Sequence, residues 1–275
     1  MVSSGEVRGV PLGASEIVRH LAGRGTALVA LSGGVDSSAV ASLARQALGP
    51  GVLAVTVVNG SVSERELAAA QAAARAIGVR HRLVSADPME DADYRANGAD
   101  RCFRCRLVET GALRALGEAE GVQQYLDGIH VDDLGDDRPG IRAMDGAGFS
   151  HPLLWAGWTK SEVRRYARSV DLPTWDRPSN ACLSSRVARG QPITSELLAR
   201  IDRAEGVLLD RGFRRVRVRV REDEARVEVD PSEVGRLHEA PLRDEIVEAI
   251  GSLGFRAVVL DPRGYAAREP LPVLR

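Results

Sequence analysis

Lysine is almost missing from this chain. Lys160 is the only one, and arginine carries the rest of the positive charge. The 37 basic and 38 acidic residues leave a formal net charge of −1. That balance lacks the bulk electrostatic footprint of a nucleic-acid binder, so no nucleic-acid partner is expected. Long apolar runs are missing too: none approaches the roughly 18 residues of a membrane span, and no membrane role is expected. The stretch Met1 to Gly13 has no basic segment followed by an apolar core, so no secretory leader is expected and a cytoplasmic location is. Cysteine is scarce and odd in number, three in 275 residues, with two of them three positions apart. This excludes a disulfide framework and points to metal or redox chemistry. The chain also lacks internal repeats, low-complexity segments and the GxxxxGK[ST] string of kinase-type phosphate loops.

The first two-thirds alternate strand and helix. Strand-like runs fall at Ala27–Leu31, Val52–Val58, His81–Val84 and Val122–Leu126, with helical patterns at Ala39–Leu48, Glu64–Ile77 and Cys105–Glu120. Such alternation predicts a parallel sheet covered on both faces, with ligands bound beyond the carboxyl ends of the strands. Thr159-Lys160-Ser161-Glu162 has the form of a capping box and opens a helix to about Val170. A proline-punctuated stretch follows, and the pattern then changes. Helix (Leu197–Asp210), strand (Arg214–Arg221), a turn at Glu222-Asp223, strand (Ala225–Val229), helix (Leu242–Leu253) and strand (Arg256–Leu260) read as a smaller α+β domain. The expected organisation is an α/β parallel-sheet domain over residues 1–175 and a second α+β domain over 176–275, with the junction near 171–193.

Ser32-Gly33-Gly34-Val35-Asp36-Ser37-Ser38 lies between the first strand and the first of these helices. Strand, tight glycine turn and helix together present backbone N–H groups and the positive end of a helix dipole at one point, a site for phosphate. Ser32, Ser37 and Ser38 add hydroxyls, and Asp36 can hold a Mg²⁺ shared with the phosphates. The acidic run Asp132, Asp133, Asp136 and Asp137 after the fourth strand reads equally as a metal-holding or a solvated turn. Lys160, at a helix start, is a further phosphate candidate. His20, His81, His151 and His238 show no ligand spacing and read as structural.

The cysteines are Cys102 and Cys105, in Arg101-Cys-Phe-Arg-Cys-Arg106, and Cys182, in Asn180-Ala-Cys-Leu-Ser-Ser-Arg186. All three lie in arginine-flanked polar segments, which favour thiolate. A CxxC pair is the spacing of a redox couple or half a zinc site, and with one more thiolate it can hold three irons of a [4Fe-4S] cluster. On the strand Arg214–Arg221, Val216, Val218 and Val220 alternate with Arg215, Arg217, Arg219 and Arg221. Period two puts the guanidiniums on one face, either a solvated face or an anion site.

The string Ser32–Ser38 resembles the SGGxDS signature of the PP-loop ATP pyrophosphatases, which cleave ATP between the α- and β-phosphates. Leu172-Pro173-Thr174-Trp175-Asp176-Arg177-Pro178 with Cys182-Leu183-Ser184-Ser185-Arg186 is similar to the LPTWDKPxxxCLxSR segment of the LarE family. Its members are ATP-dependent pyridinium-3,5-biscarboxylic acid mononucleotide sulfurtransferases of nickel-pincer nucleotide synthesis. The likeness extends over most of the chain. The resemblance implies ATP at Ser32, Gly33, Gly34, Val35, Asp36, Ser37, Ser38 and Gly128, with Mg²⁺. It also implies catalysis by Cys182, Asp36 and Glu205, and substrate binding by Ser185, Arg186, Arg217 and Arg219. A [4Fe-4S] cluster on Cys102, Cys105 and Cys182 is implied by members with three cysteines, whereas others give up the sulfur of the CLxSR cysteine and keep dehydroalanine. Two places depart from the pattern: Asp127-Gly128-Ile129-His130 stands for Asp-Gly-Thr-Asn, and Gly264-Tyr265-Ala266-Ala267-Arg268 lacks a serine-rich ending.

The reaction implied is adenylation of a substrate carboxylate followed by sulfur attack and loss of AMP. The partners expected are the small pyridinium mononucleotide, inorganic sulfide or a cysteine desulfurase as sulfur source, and further copies of the chain in a homo-oligomer. The alternatives are a cluster-dependent tRNA thiolase, an amide synthetase and a non-enzymatic ATP sensor or iron–sulfur scaffold.

Overall fold

The computed structural model describes residues 12–134, 139–179 and 181–265. In chain order its elements are α1 (Ala14–Leu21), β1 (Ala27–Ala30), α2 (Val35–Leu48), β2 (Val52–Val58), α3 (Glu64–Ile77), β3 (Arg80–Ser85), α4 (Ala92–Arg95), α5 (Arg101–Ala119) and β4 (Gln124–Leu126). There follow α6 (Pro139–Gly146), α7 (Pro152–Trp155), α8 (Lys160–Ser169), α9 (Ser195–Leu209), β5 (Val216–Arg221), β6 (Glu224–Val229), α10 (Val234–His238), α11 (Leu242–Gly251) and β7 (Ala257–Leu260). The chain divides into two compact units. The first takes in the chain through Asn59, Arg65–Asp87 and Cys105–Arg177; the second takes Gly60–Glu64, Pro88–Arg104 and the chain from Pro178. Two short stretches of the first half thus belong to the second unit, which no compositional shift in the sequence announces.

The first unit is built on a parallel sheet in the order β3-β2-β1-β4, the α/β architecture expected. Its central strand is apolar on both faces, as a doubly covered sheet requires. Ala27 and Val29 of β1 face a core with Ile17, Leu21, Val40, Leu43, Trp158 and Val163. Leu28, one residue out of phase, faces a second core with Leu53, Leu113, Tyr125, Met144 and Phe149. The chain leaves β1 toward β2 on one side and returns to β4 on the other. This reversal of strand order opens a crevice at the carboxyl ends of β1 and β4.

In the second unit β5 and β6 form an antiparallel hairpin and β7 joins β6 in parallel, giving the order β5-β6-β7. Val216, Val218 and Val220 are buried on one face, with Leu198, Ile201, Ala204 and Leu208 of α9 also buried. Glu222, at the hairpin turn, takes a positive φ of 54°.

Two element boundaries differ from the sequence reading with consequences for chemistry. Helix α2 starts at Val35 rather than Ala39, because Gly34 is already the extended N-cap residue, so Asp36 and both following serines ride on the helix itself. Helix α5 starts at Arg101 rather than Cys105, so both cysteines of the CxxC pair are helical. Helix α1 has no counterpart in that reading.

Candidate functional site

Gly33 shapes the turn after β1. Its φ is +78°, and a Cβ there would lie 2.7 Å from the Glu66 carbonyl oxygen and 2.8 Å from the Ala70 nitrogen. Only glycine fits so close to α3. The turn is cross-braced by serines: Ser37 Oγ donates to the Gly34 carbonyl at 3.2 Å and accepts from Ser32 N at 3.1 Å, while Ser38 Oγ donates to the same carbonyl at 2.8 Å. The Ser37 and Ser38 hydroxyls thus brace the turn, at 5% and 0% exposure, and Ser32 is the exposed hydroxyl. The first-turn amides of α2 have no partner within the helix, as at any helix start. Gly128, at the end of β4, is packed against this turn. A Cβ on it would sit 2.7 Å from Ser37 N and 2.9 Å from the Asp36 carbonyl carbon.

Asp36 is held in an unusual state. Its Oδ2 accepts from Lys160 Nζ at 2.5 Å, while its Oδ1 is buried with no hydrogen-bond partner. His130 Nε2 lies 3.6 Å from that oxygen and 3.5 Å from Asp133 Oδ2. His130 Nδ1 and Asp127 Oδ2 are likewise buried and unpartnered. Three unsatisfied polar atoms at the ends of β1 and β4 mark a place where a polar ligand belongs, since buried polar groups are otherwise almost always paired. The lone Asp36 oxygen, a hard anionic donor, fits Mg²⁺. Asp132 and Asp133 are engaged locally, Asp132 accepting from Lys160 N at 2.8 Å and Asp133 from His130 N at 3.1 Å. Asp136 and Asp137 lie outside the described residues, as do Asn180 and the tail from Ala266. His151 is clamped between Asp127 Oδ1 (2.8 Å) and Asp145 Oδ1 (2.7 Å). Burial alone would lower its pKa, but the two carboxylates raise it to about 9.

In the second unit the turn Cys182–Arg186 is built around a buried guanidinium. Arg186, 0% exposed, donates from Nε to Glu205 Oε1 at 2.7 Å and from Nη2 to Glu205 Oε2 at 3.1 Å. Its Nη1 reaches the carbonyls of Ala181 (2.7 Å) and Cys182 (3.1 Å) and the hydroxyl of Ser185 (2.9 Å). Glu205 Oε1 also accepts from Val218 N at 3.0 Å. Ser185 Oγ donates to the Cys182 carbonyl at 2.7 Å. Arg186 and Glu205, a substrate ligand and a catalytic acid in the sequence reading, are thus occupied with each other and with the backbone that carries Cys182. Burial pushes the Cys182 thiol above its ordinary value, Arg101 opposes this, and the charge of Cys102 adds to it.

The arginine face of β5 is not uniformly solvated. Arg219 Nε donates to both oxygens of Glu228 at 2.7 and 2.8 Å. Arg217 is buried at 6% exposure and donates only to backbone, to the carbonyls of Val216 (2.7 Å) and Ser179 (3.0 Å). Among the described residues no carboxylate comes within ion-pairing distance of it. Burial, and next the Arg186 charge, push its pKa down to about 10, still a cation at neutral pH.

Among the described residues no group of three or more His, Cys, Asp or Glu side chains is gathered closely enough to hold a metal ion. Cys102 and Cys182 belong to the second unit and Cys105 to the first, where its thiol faces Glu109 Oε1 at 3.5 Å. Cys102 Sγ instead meets Arg101 Nη2 at 3.7 Å. No described helix is long and apolar enough to cross a membrane.

Sequence reasoning missed Tyr94, Asn97 and Arg101, which bond to the segment 184–191. Their partners lie more than 80 positions away, and no local pattern marks them. A proximity signal existed only for Arg101, beside Cys102.

A glycine turn at the switch point of a parallel sheet, with an unsatisfied aspartate on the helix it opens, defines a PP-loop ATP-using domain. Residues 15–102 match the family model described as asparagine synthase. Over its greater length the chain is 40% identical to the uncharacterized protein slr1717 of Synechocystis sp., across 87% of this chain and 89% of that protein. It is 30% identical to the pyridinium-3,5-bisthiocarboxylic acid mononucleotide synthase of Lactiplantibacillus plantarum, across 86% of each. It is 24% identical to the uncharacterized protein MJ0830 of Methanocaldococcus jannaschii, across 86% of this chain and 90% of that one. The chain belongs to the LarE family, and it is an ATP-dependent sulfurtransferase.

Proposed function

We propose that the protein converts pyridinium-3,5-biscarboxylic acid mononucleotide to its thiocarboxylate form, a step of nickel-pincer nucleotide synthesis, with ATP cleaved to AMP and pyrophosphate. The observation that carries this reading is Arg217, a buried cation whose guanidinium faces the Tyr265 ring at 5.1 Å and whose hydrogen bonds go only to backbone carbonyls. Such a group is costly unless an anion completes it. A substrate bearing one phosphate and two carboxylates supplies that anion, and the relative from Lactiplantibacillus plantarum is named for a product of this class.

We assign the ATP chemistry to the first unit and the sulfur chemistry to the second. The amides opening α2 and the exposed Ser32 hydroxyl would receive the phosphates, and Asp36 Oδ1 would hold Mg²⁺, which when bound neutralises the polyphosphate. Lys160 is the cation nearest that carboxylate, and it is free to move to a phosphate once Mg²⁺ takes its place. A substrate carboxylate oxygen attacks the α-phosphorus, and the bond to pyrophosphate breaks. The acyl-adenylate then meets the Cys182 thiolate: the C–S bond forms and AMP leaves with the carboxylate oxygen. Loss of the Cys182 α-proton and cleavage of its Cβ–S bond would release the thiocarboxylate and leave dehydroalanine at position 182. The sulfur is assigned to Cys182 itself, the thiol of a turn built around the buried Arg186, which bonds the Ala181 and Cys182 carbonyls; a sulfide carried by a cluster on Cys102, Cys105 and Cys182 is the alternative reading.

Mass spectrometry of the peptide carrying residue 182, before and after one turnover of the purified full chain, tests the sulfur source. The expected result is loss of the elements of H₂S from that peptide and from neither of the peptides carrying Cys102 and Cys105. An intact Cys182 in an active protein that requires iron would overturn it in favour of the cluster.

A further inference from the structure

We propose that Tyr94 and Arg101 are positioning residues for sulfur delivery: between them they clamp Ser184 and so fix where the Cys182 thiol stands. The inference rests on the reading of Cys182 as the sulfur-delivering residue.

Ser184 is 0% exposed and sits two residues after Cys182, inside the single turn Leu183–Arg186. Its hydroxyl and its carbonyl are both engaged from outside the turn, the carbonyl also accepting from Val187 N at 3.3 Å. The Tyr94 hydroxyl lies 2.6 Å from its Oγ, and Arg101 Nη1 donates to its carbonyl at 2.8 Å. Tyr94 and Arg101 are themselves buried, at 1% and 5% exposure. Tyr94 is set by the cap of α4, where Asp91 Oδ1 accepts from the amides of Asp93 (2.8 Å) and Tyr94 (3.2 Å).

Arg101 is aimed by Asn97, whose Oδ1 accepts from the same Nη1 at 2.7 Å. Asn97 is a buried non-glycine residue at φ 57°, a conformation that persists where its surroundings over-determine it. Its amide Nδ2 donates to the carbonyls of Ala188 (2.8 Å) and Gln191 (3.1 Å), tying down the chain just after the turn. Arg186 holds the near side through the Ala181 and Cys182 carbonyls. The turn that carries the thiol is thereby gripped on both sides by buried guanidiniums.

The choice of arginine at position 101 is informative. Its hydrogen bonds go to Ser184 O, Asn97 Oδ1 and the Cys102 sulfur, and among the described residues no carboxylate pairs with it. Its two oxygen acceptors are neutral, and a buried cation spent on them costs stability that a neutral donor would not, while its charge also opposes the burial that raises the Cys182 thiol. What it supplies instead is a rigid planar fork that reaches the Ser184 carbonyl and the Cys102 thiol together. Fixing a nucleophile to within a fraction of an ångström has large kinetic value, since a misplacement of about 1 Å costs on the order of a hundredfold in rate.

The test uses the full chain with Tyr94→Phe, Arg101→Met and Arg101→Lys, assayed with ATP and the pyridinium biscarboxylate mononucleotide. AMP and thiocarboxylate are measured side by side. In Arg101→Met and Tyr94→Phe, thiocarboxylate formation is expected to fall by about tenfold or more. The single-turnover rate of AMP formation and the half-saturating concentrations of ATP and substrate should stay within about twofold, so ATP is spent and the acyl-adenylate is lost to water without sulfur transfer. Arg101→Lys should recover part of the coupling, because an ammonium can reach one of the two oxygen acceptors. A proportional fall of both products, or parent-like coupling in all three variants, would overturn the positioning role. A second readout does not depend on the substrate. In Tyr94→Phe, a change confined to one hydroxyl, hydrogen exchange at the Ser185 and Val187 amides should accelerate while the first unit is unaffected. If the parent itself forms neither AMP nor thiocarboxylate, the functional reading fails, and the exchange result still decides the clamp: unchanged protection at those amides contradicts it.

Discussion

Arg217 and Arg219 stand two positions apart on β5, yet the Glu228 carboxylate goes to Arg219, while Arg217 hydrogen-bonds only carbonyls and faces the Tyr265 ring. Alternation placed both on one face; what sequence could not tell was which of them is neutralised, because that depends on the diagonal reach from β6, where Arg217 itself is the register partner of Glu228. The two consequently behave differently on removal. Arg217→Met should leave the melting temperature unchanged or raised, since it removes a buried cation that has no direct carboxylate partner among the described residues. It should weaken binding of the anionic substrate by about ten- to a hundredfold, the value of one charge-assisted hydrogen bond of roughly 1.5–3 kcal/mol, and leave ATP affinity as it was. Calorimetric titration of each ligand separates the two effects. Loss of substrate affinity in Arg219→Met alone would reassign the anion contact.

At the scale of elements, the strand–turn–helix at Ala27–Leu48 was the most legible part of the chain, because every residue that shapes it is contiguous. The apolar strand, the glycine that must take positive φ and the helix behind it all follow one another. The sheet order and the two cores follow from the same periodicity. Less legible was the use of each side chain within the motif. Ser37 and Ser38 look like phosphate donors in a string of letters, and in three dimensions they brace the Gly34 carbonyl. Arg186 and Glu205 resemble a ligand and an acid, but an ion pair across 19 positions leaves no local trace. The clamp on Ser184 was invisible for the same reason. Gly128 is the element-level test of how the turn is packed. Gly128→Ala puts a methyl 2.7 Å from Ser37 N, against backbone that has no flexible end to yield. The variant should raise the Kd for ATP by about tenfold or more, a loss of roughly 1.4 kcal/mol, while the second unit keeps its affinity for the pyridinium substrate. Unaltered ATP affinity in a folded Gly128→Ala protein would show that the turn has room to spare.

At the scale of the whole molecule, stability and activity should respond to pH through different groups. The His151 imidazole is raised to about 9 against an ordinary 6.5, because the bonds from Asp127 and Asp145 outweigh the burial that opposes them. A folded-state value above the unfolded one means that the stabilisation is full below about pH 6.5 and is lost as pH rises through about 9. Its size is on the order of 2 kcal/mol, less than the full shift implies because Asp145 is half exposed. Urea unfolding should therefore show a decline across that window in the parent and little in His151→Gln; identical pH profiles would exclude the histidine as its source. Which bond of ATP is broken and where the sulfur ends together define the reaction. The decisive measurement is product analysis of a single reaction containing the protein, Mg²⁺-ATP and pyridinium-3,5-biscarboxylic acid mononucleotide. AMP, pyrophosphate and a thiocarboxylate in place of a substrate carboxylate are the predicted products, whereas ADP with phosphate, or AMP with an unaltered or amidated substrate, would contradict the account.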